Sequence, residues 1–399
     1  MIRSITNLAL ETAVRAMLTP SVLASRWLLP AGGYGDPHGH APAASLSPLV
    51  AAKMVFDEIF FVTEVLSARF VSAADRHRLQ REIADGLAFF DDAGWLDDPA
   101  TYFAAPPPPD THTLTTASSF GRTYGHLTFA SEFEVRAGEP GAERWHAHVA
   151  NRTAHAWLLE HPGTPRPWLV CLHGYRTGSP LTGFFQFSPR WLHETLGVNL
   201  VLPVLPLHGP RASGWRSGEG MFSGEILDMV HLQAQAAWDL RRLLAWLRRR
   251  DGMPIGLYGL SLGGGIAALT AALEPELACV IAGMPMVDVM GLVHCHVPAF
   301  VRGIAERFGI SFADIARLVR VVSPLAMTPR VPAERLFIFG GTADRLVPSG
   351  QVSALWRHWG KPRIEWHGGS HTSFGIESAV NLLVSEALTS TRLAGDRAA

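Results

Sequence analysis

The sequence predicts an α/β fold: a mostly parallel central sheet with helices on both faces. Three observations predict it. Short apolar runs at 168–172, 199–207, 254–258, 279–284, 336–339 and 363–366 alternate with helical patterns. That alternation lays parallel strands side by side. Most of these runs are continuously apolar rather than alternating, as strands buried on both faces are. The third observation is chemical. Gly259-Leu260-Ser261-Leu262-Gly263 lies between one of these runs and the helix-like Ile266-Ala267-Ala268-Leu269, the strand–turn–helix context of a nucleophile elbow.

Bulk properties narrow the possibilities. A chain of 399 residues suits one large domain with additions, or two domains. With 48% hydrophobic residues it can bury a sizeable core. Only 17% are charged and the net charge is −1, so nothing global attracts nucleic acid or an acidic membrane surface. Cys171, Cys279 and Cys295 form no paired motif, which points to a reducing, cytoplasmic setting. Residues 1–30 are moderately apolar, but Glu11, Arg15 and Arg26 break any signal-type core. Ile5, Leu8, Ala9, Ala13, Val14, Met17 and Leu18 define one face of an amphipathic helix. It is expected to pack on its own domain, with membrane contact as the alternative.

The elements follow in order. Residues 31–47 read as a loop, and Ser47-Pro48 supplies an N-cap and first turn. Val50, Met54, Val55, Ile59, Val62, Val65, Leu66 and Phe70 then recur at helical spacing. A second helix starts after Ser72, with Leu79, Ile83, Leu87 and Phe90 on one face. Pro106 to Pro109 end it, so residues 1–110 form a helical N-terminal extension and 111–399 the catalytic domain. Residues 124–135 and 154–159 are strand-like, and 168–172 is the third strand. Residues 223–250 make a long helix with acids early and arginines late, stopped by Gly252 and Pro254. Its arginines read as a solvated face. Residues 289–332 interrupt the alternation, as a lid or as an ordinary packed connection.

A serine hydroxyl is a poor nucleophile without a base, and the base needs an orienting acid. Asp344 follows the strand at 336–339, in a loop at the C-terminal end, and is favoured over Asp288. His371, in the loop Gly368-Gly369-Ser370-His371-Thr372, is favoured as the base over His367. The order Ser, Asp, His singles them out.

From about residue 125 to 390 the chain resembles the α/β-hydrolase superfamily, near its esterase and dienelactone-hydrolase-like branches. Four motifs carry the resemblance: His173-Gly174, the Gly259–Gly263 elbow, the Gly341–Pro348 loop and the Gly368–His371 loop. The resemblance implies Ser261 as nucleophile, Asp344 as acid and His371 as base. It implies an oxyanion hole from the N–H of Leu262 and that of Tyr175, with Arg176 as the alternative to Tyr175. The implied chemistry is acyl transfer without a cofactor or metal, on a small or medium hydrophobic ester. Acyl transfer to another acceptor, amide hydrolysis, or a silent binding role on the same fold are the alternatives. Three His-x-His pairs, at 38/40, 146/148 and 294/296, would set two imidazoles on one side of an extended chain, but lack a third ligand at matching spacing. Arg176 and Arg211 are read as structural ion pairs, or as holders of a substrate anion. The oligomeric state is left open.

Overall fold

The structure is a computed structural model that describes residues 39–45, 47–67 and 73–394, with Pro20 and Ala24 besides. The amphipathic helix expected at 5–18 lies outside the described residues. The elements run α1 (Pro48–Ser67), α2 (Ala73–Asp92), β1 (Thr113–Ser119), β2 (Arg122–Ala130), α3 (Ala142–His146), β3 (Thr153–Leu159), β4 (Trp168–Leu172), α4 (Pro180–Phe187), β5 (Asn199–Pro203) and α5 (Ile226–Asp251). They continue with β6 (Ile255–Leu260), α6 (Leu262–Ala271), β7 (Cys279–Gly283), α7 (Val289–His296), α8 (Ala299–Arg307), α9 (Phe312–Val319), β8 (Leu336–Gly341), α10 (Ser349–His358), β9 (Arg363–His367) and α11 (Ser378–Ser390).

The nine strands form one sheet in the order β1-β2-β3-β5-β4-β6-β7-β8-β9. From β5 to β9 every pairing is parallel, while β1, β2 and β3 join antiparallel. Successive residues of the central strands feed opposite faces. Trp168, Val170 and Leu172 enter one core with α5, α6 and α10; Leu169 and Cys171 enter the other with α4 and α11. That is why these strands read as unbroken apolar runs. The chain passes from β4 outward to β5, then back across to β6. The sheet therefore switches direction between β4 and β6, where open α/β sheets carry their sites at the strand ends.

β1 was not expected as a strand. It is polar and mostly exposed, and lacks a buried alternation. It is held by a two-residue hairpin through Phe120 and Gly121, with φ of 51° and 74°, the geometry of a type I′ turn. Residues 168–172 are accordingly the fourth strand, not the third.

The described N-terminal helices pack on the sheet domain. Leu79, Ile83 and Phe90 of α2 share a core with Leu227 and Val230 of α5 and with Ile315 and Leu318 of α9. Ser47 caps α1 by accepting from Val50 N at 3.2 Å. The face of α1 differs from the expected one. Val55 and Ile59 are exposed, whereas Asp57 is fully buried. The cause is a set of hydrogen bonds to Asp57 from loops far away in sequence. The arginines of α5 are not all solvated either: Arg242 is buried and ion-paired with Glu132, and Arg241 Nε lies 2.7 Å from Glu274.

Candidate active site

The elbow follows from close packing at the end of β6. Ser261 has φ 56° and ψ −113°, a conformation that costs about 1–3 kcal/mol and persists only where surroundings enforce it. Here main-chain bonds enforce it: Ser261 N donates to Gly283 O at 2.8 Å, and Met286 N donates to Ser261 O at 3.0 Å. A Cβ at Gly259 would stand 2.1 Å from Gly263 O, and one at Gly263 2.0 Å from Leu172 O. Both positions admit only glycine. Leu262 opens α6, so its N–H has no acceptor within the helix.

The turn after β4 lies beside the elbow: a Cβ added at its Gly174 would stand 3.6 Å from the Ser261 Cβ. His173 fixes that turn. Its Nδ1–H donates to Gly174 O at 2.8 Å, and its Nε2 accepts from Leu205 N at 3.1 Å. Burial pulls the imidazole down to about 4, so it stays neutral in this tautomer. His208, buried against it, is pulled down to about 3, chiefly by burial.

Asp344 and His371 come from the loops after β8 and β9. Asp344 is buried, and its Oδ2 accepts from His371 Nδ1 at 2.7 Å. Its Oδ1 accepts from Leu346 N and Val347 N at 2.9 and 2.8 Å. Burial lowers the affinity of His371 for a proton, but Asp344, by charge and hydrogen bond, and Asp57, by charge, together hold it above the ordinary imidazole value. The alternatives stand elsewhere. Asp288 caps α7, accepting from Gly291 N at 2.9 Å. His367 is buried, its Nδ1 accepting from Gly369 N at 3.2 Å, and burial depresses it.

Ser261, Leu262, Tyr175 and His371 line one cavity of about 2090 Å³. Phe60, Phe61, Leu79, Leu181, Met229, Met286, Met290, Val293 and Ile315 supply much of its apolar wall. Most of its charged lining residues are paired with one another, among them Arg78 Nη2 with Glu225 at 2.5 Å and Arg144 Nε with Asp228 at 2.8 Å. Val289, Val293, Val297 and Val301 of the 289–332 segment also face it.

Arg176 and Arg211 both make ion pairs. Arg176 holds Glu64 of α1 in a fork, Nε at 2.8 Å and Nη2 at 2.6 Å, while Tyr175 donates its hydroxyl to the same carboxylate at 3.0 Å. Arg211 pairs with Asp239 at 2.7 Å. Among the described residues no group of three or more His, Cys, Asp or Glu converges as a metal site. His294 and His296 sit on a helix rather than on an extended chain, so they point to different sides. His38 lies outside the described residues.

The sequence reading missed Asp57. Its Oδ2 accepts from Arg345 N at 3.0 Å and His371 N at 2.9 Å. Its Oδ1 accepts from Thr372 N at 3.0 Å and Thr372 Oγ1 at 2.9 Å. The signal present in the sequence was the acidic pair Asp57-Glu58 inside a largely apolar helical stretch.

Strand order, crossover point and elbow together define an α/β-hydrolase fold carrying one extra edge strand, β1. Two uncharacterised proteins of Mycobacterium tuberculosis, MT2702 and Rv2627c, are each 42% identical to this chain over 357 residues, covering 88% of it and 85% of their own length. The chain belongs to their family. No protein-family model matches it. Among solved structures, an acetyl xylan esterase from a Paenibacillus species aligns with a TM-score of 0.49 at 17% identity, covering 72% of this chain and 89% of that one. An acetyl xylan esterase from a Thermoanaerobacterium species aligns with a TM-score of 0.47 at 16% identity, covering 70% and 86%.

Proposed function

We propose that the protein is a serine hydrolase that cleaves carboxylic esters through an acyl-enzyme intermediate. One observation carries the reading: the strained elbow serine and His371, which is paired with Asp344 at 2.7 Å, border the same apolar cavity. Asp344 takes the Nδ1–H of His371, which leaves Nε2 as the base. Nε2 removes the Ser261 proton as Oγ attacks the ester carbonyl. The N–H groups of Leu262 and Tyr175 hold the oxyanion. His371 then returns the proton to the leaving alcohol, and water releases the acyl group by the same steps. The reaction needs no metal or cofactor, and a cytoplasmic location fits three cysteines that form no disulfide.

Small-molecule pockets usually measure about 300–1,000 Å³, and this cavity holds about 2090 Å³. Its wall is mainly apolar and most of its charges are internally paired. The reading therefore moves from a small or medium ester to one with a long or bulky apolar acyl group. Across p-nitrophenyl esters from acetate to palmitate, kcat/KM is expected to rise toward the longer chains. A fluorophosphonate probe should label the protein on the peptide containing Ser261. A folded protein that hydrolyses no ester of the series and takes no label on Ser261 would overturn the proposal.

The pH profile carries a sign. Protonated His371 cannot accept the serine proton, so kcat/KM falls as pH drops through its pKa. That pKa is raised, so the acid limb should lie above the ordinary imidazole value of about 6.5. A limb below that value would show that Asp344 and Asp57 do not outweigh burial.

A further inference from the structure

We propose that Asp57, delivered by α1 from the N-terminal segment, is a positioning residue of this active site: its carboxylate ties the acid loop to the base loop and adds a second negative charge facing His371. The proposal rests on the serine-hydrolase reading above.

Asp57 is fully buried in the middle of α1. A buried carboxylate is costly unless donors replace its water. Four donors do so here, all from the two loops in question. Arg345 N follows the acid directly, His371 N belongs to the base, and Thr372 supplies both its N–H and its hydroxyl. The loops lie 288 and 314 residues from Asp57 in sequence. One side chain thus fixes the backbone on which both partners of the 2.7 Å pair are mounted.

The same helix stripe makes the neighbouring contacts. Positions 53, 57 and 64 fall on one face of a helix of 3.6 residues per turn. Lys53 Nζ meets Glu377 at 2.5 Å, and Lys53 O accepts from Ser370 Oγ at 3.0 Å. Glu64 grips Arg176 and Tyr175 of the turn after β4. Glu58 pairs with Arg345 at 2.8 Å. The base loop, the acid loop and the oxyanion turn are thereby fastened to one rigid element, which suits a geometry sensitive to small displacements.

The charges acting on His371 are Asp344 and Asp57, with the buried His367 of β9 alongside. The Lys53–Glu377 and Arg345–Glu58 pairs flank them. Burial and the nearby Asp344 raise Asp57, and the imidazolium and the N–H groups pull it back.

The test is Asp57→Asn in the full chain. The imidazole titration of His371 is followed by NMR and assigned against His371→Gln, with no substrate needed. Its pKa is expected to fall by about one unit, the acid limb of kcat/KM should move down equally, and kcat should drop about 10²-fold with KM nearly unchanged. A folded Asp57→Asn protein with wild-type His371 titration overturns the proposal. If Asp57→Asn does not fold, Thr372→Val decides. It removes one of the four bonds and leaves the charge, so fluorophosphonate labelling of Ser261 should slow several-fold; an unchanged rate overturns the positioning role. Failure of the ester reading is distinct: the wild type then turns over no ester, while the NMR comparison still reads Asp57.

Discussion

Ser261→Ala is expected to remove ester turnover, lowering kcat by about 10⁶-fold, while leaving the fold in place. The structural side of this expectation comes from the elbow. The turn is held by main-chain bonds: Ser261 N to Gly283 O at 2.8 Å, Gly265 N to Ser261 O at 3.0 Å and Met286 N to Ser261 O at 3.0 Å. Alanine keeps all three. The chemical side is that no covalent intermediate forms without Oγ. What remains is the field of the oxyanion donors and the binding of the ester, which in related chemistry retain some acceleration over water. The measurement is kcat on the best p-nitrophenyl ester, with thermal melts of both proteins. Matched melts with turnover within tenfold of wild type would remove Ser261 from the mechanism.

The parts of this site that could be read in the sequence share a physical cause. β4, β6, β7 and β8 are buried on both faces, so each appears as a short apolar run whatever its partners. The acid loop follows one such strand, β8, and the base loop follows the half-buried edge strand β9; their places after strands made Asp344 and His371 stand out from other carboxylates and histidines. The elbow adds a steric signature, since its glycines answer to atoms only a few residues away or on the adjacent strand.

The parts that could not be read depend on distant partners. In α1, apolar spacing suggested that Val55 and Ile59 face inward. Instead a carboxylate turns inward, because 288 to 314 residues later two loops present it with unpaired donors. Local periodicity carries no trace of that. β1 was missed for a related reason: an exposed polar strand is defined by its hairpin with β2, not by burial. The geometry of His294 and His296 was read on an extended chain, where a helix forms instead. The arginines of α5 were taken as a solvated face, yet Arg242 is buried and pairs with Glu132 from outside the helix.

Gly263→Ala is expected to carry the largest stability effect of any single methyl added near the site. The new Cβ would lie 2.0 Å from Leu172 O, 2.5 Å from Leu172 C and 2.7 Å from His173 O. All three atoms are backbone. They belong to β4, whose residues pair with β5 and β6 at the centre of the sheet, and to the turn that His173 fixes. None can rotate away as a side-chain tip would. Relief requires α6 to lift off the sheet, and α6 is buried along its whole length. We therefore expect a loss above about 4 kcal/mol, the range reserved for overpacking and comparable faults. Gly303 provides the comparison. It lies within α8, and a Cβ there meets nothing within 4 Å. Gly303→Ala should raise stability by about 0.5–1 kcal/mol through helix propensity and a less flexible unfolded chain. Urea unfolding of both variants measures the difference. A Gly263→Ala protein as stable as wild type would mean that the elbow is not packed against β4 at this distance. The close approach that holds the serine at positive φ would then have to come from elsewhere.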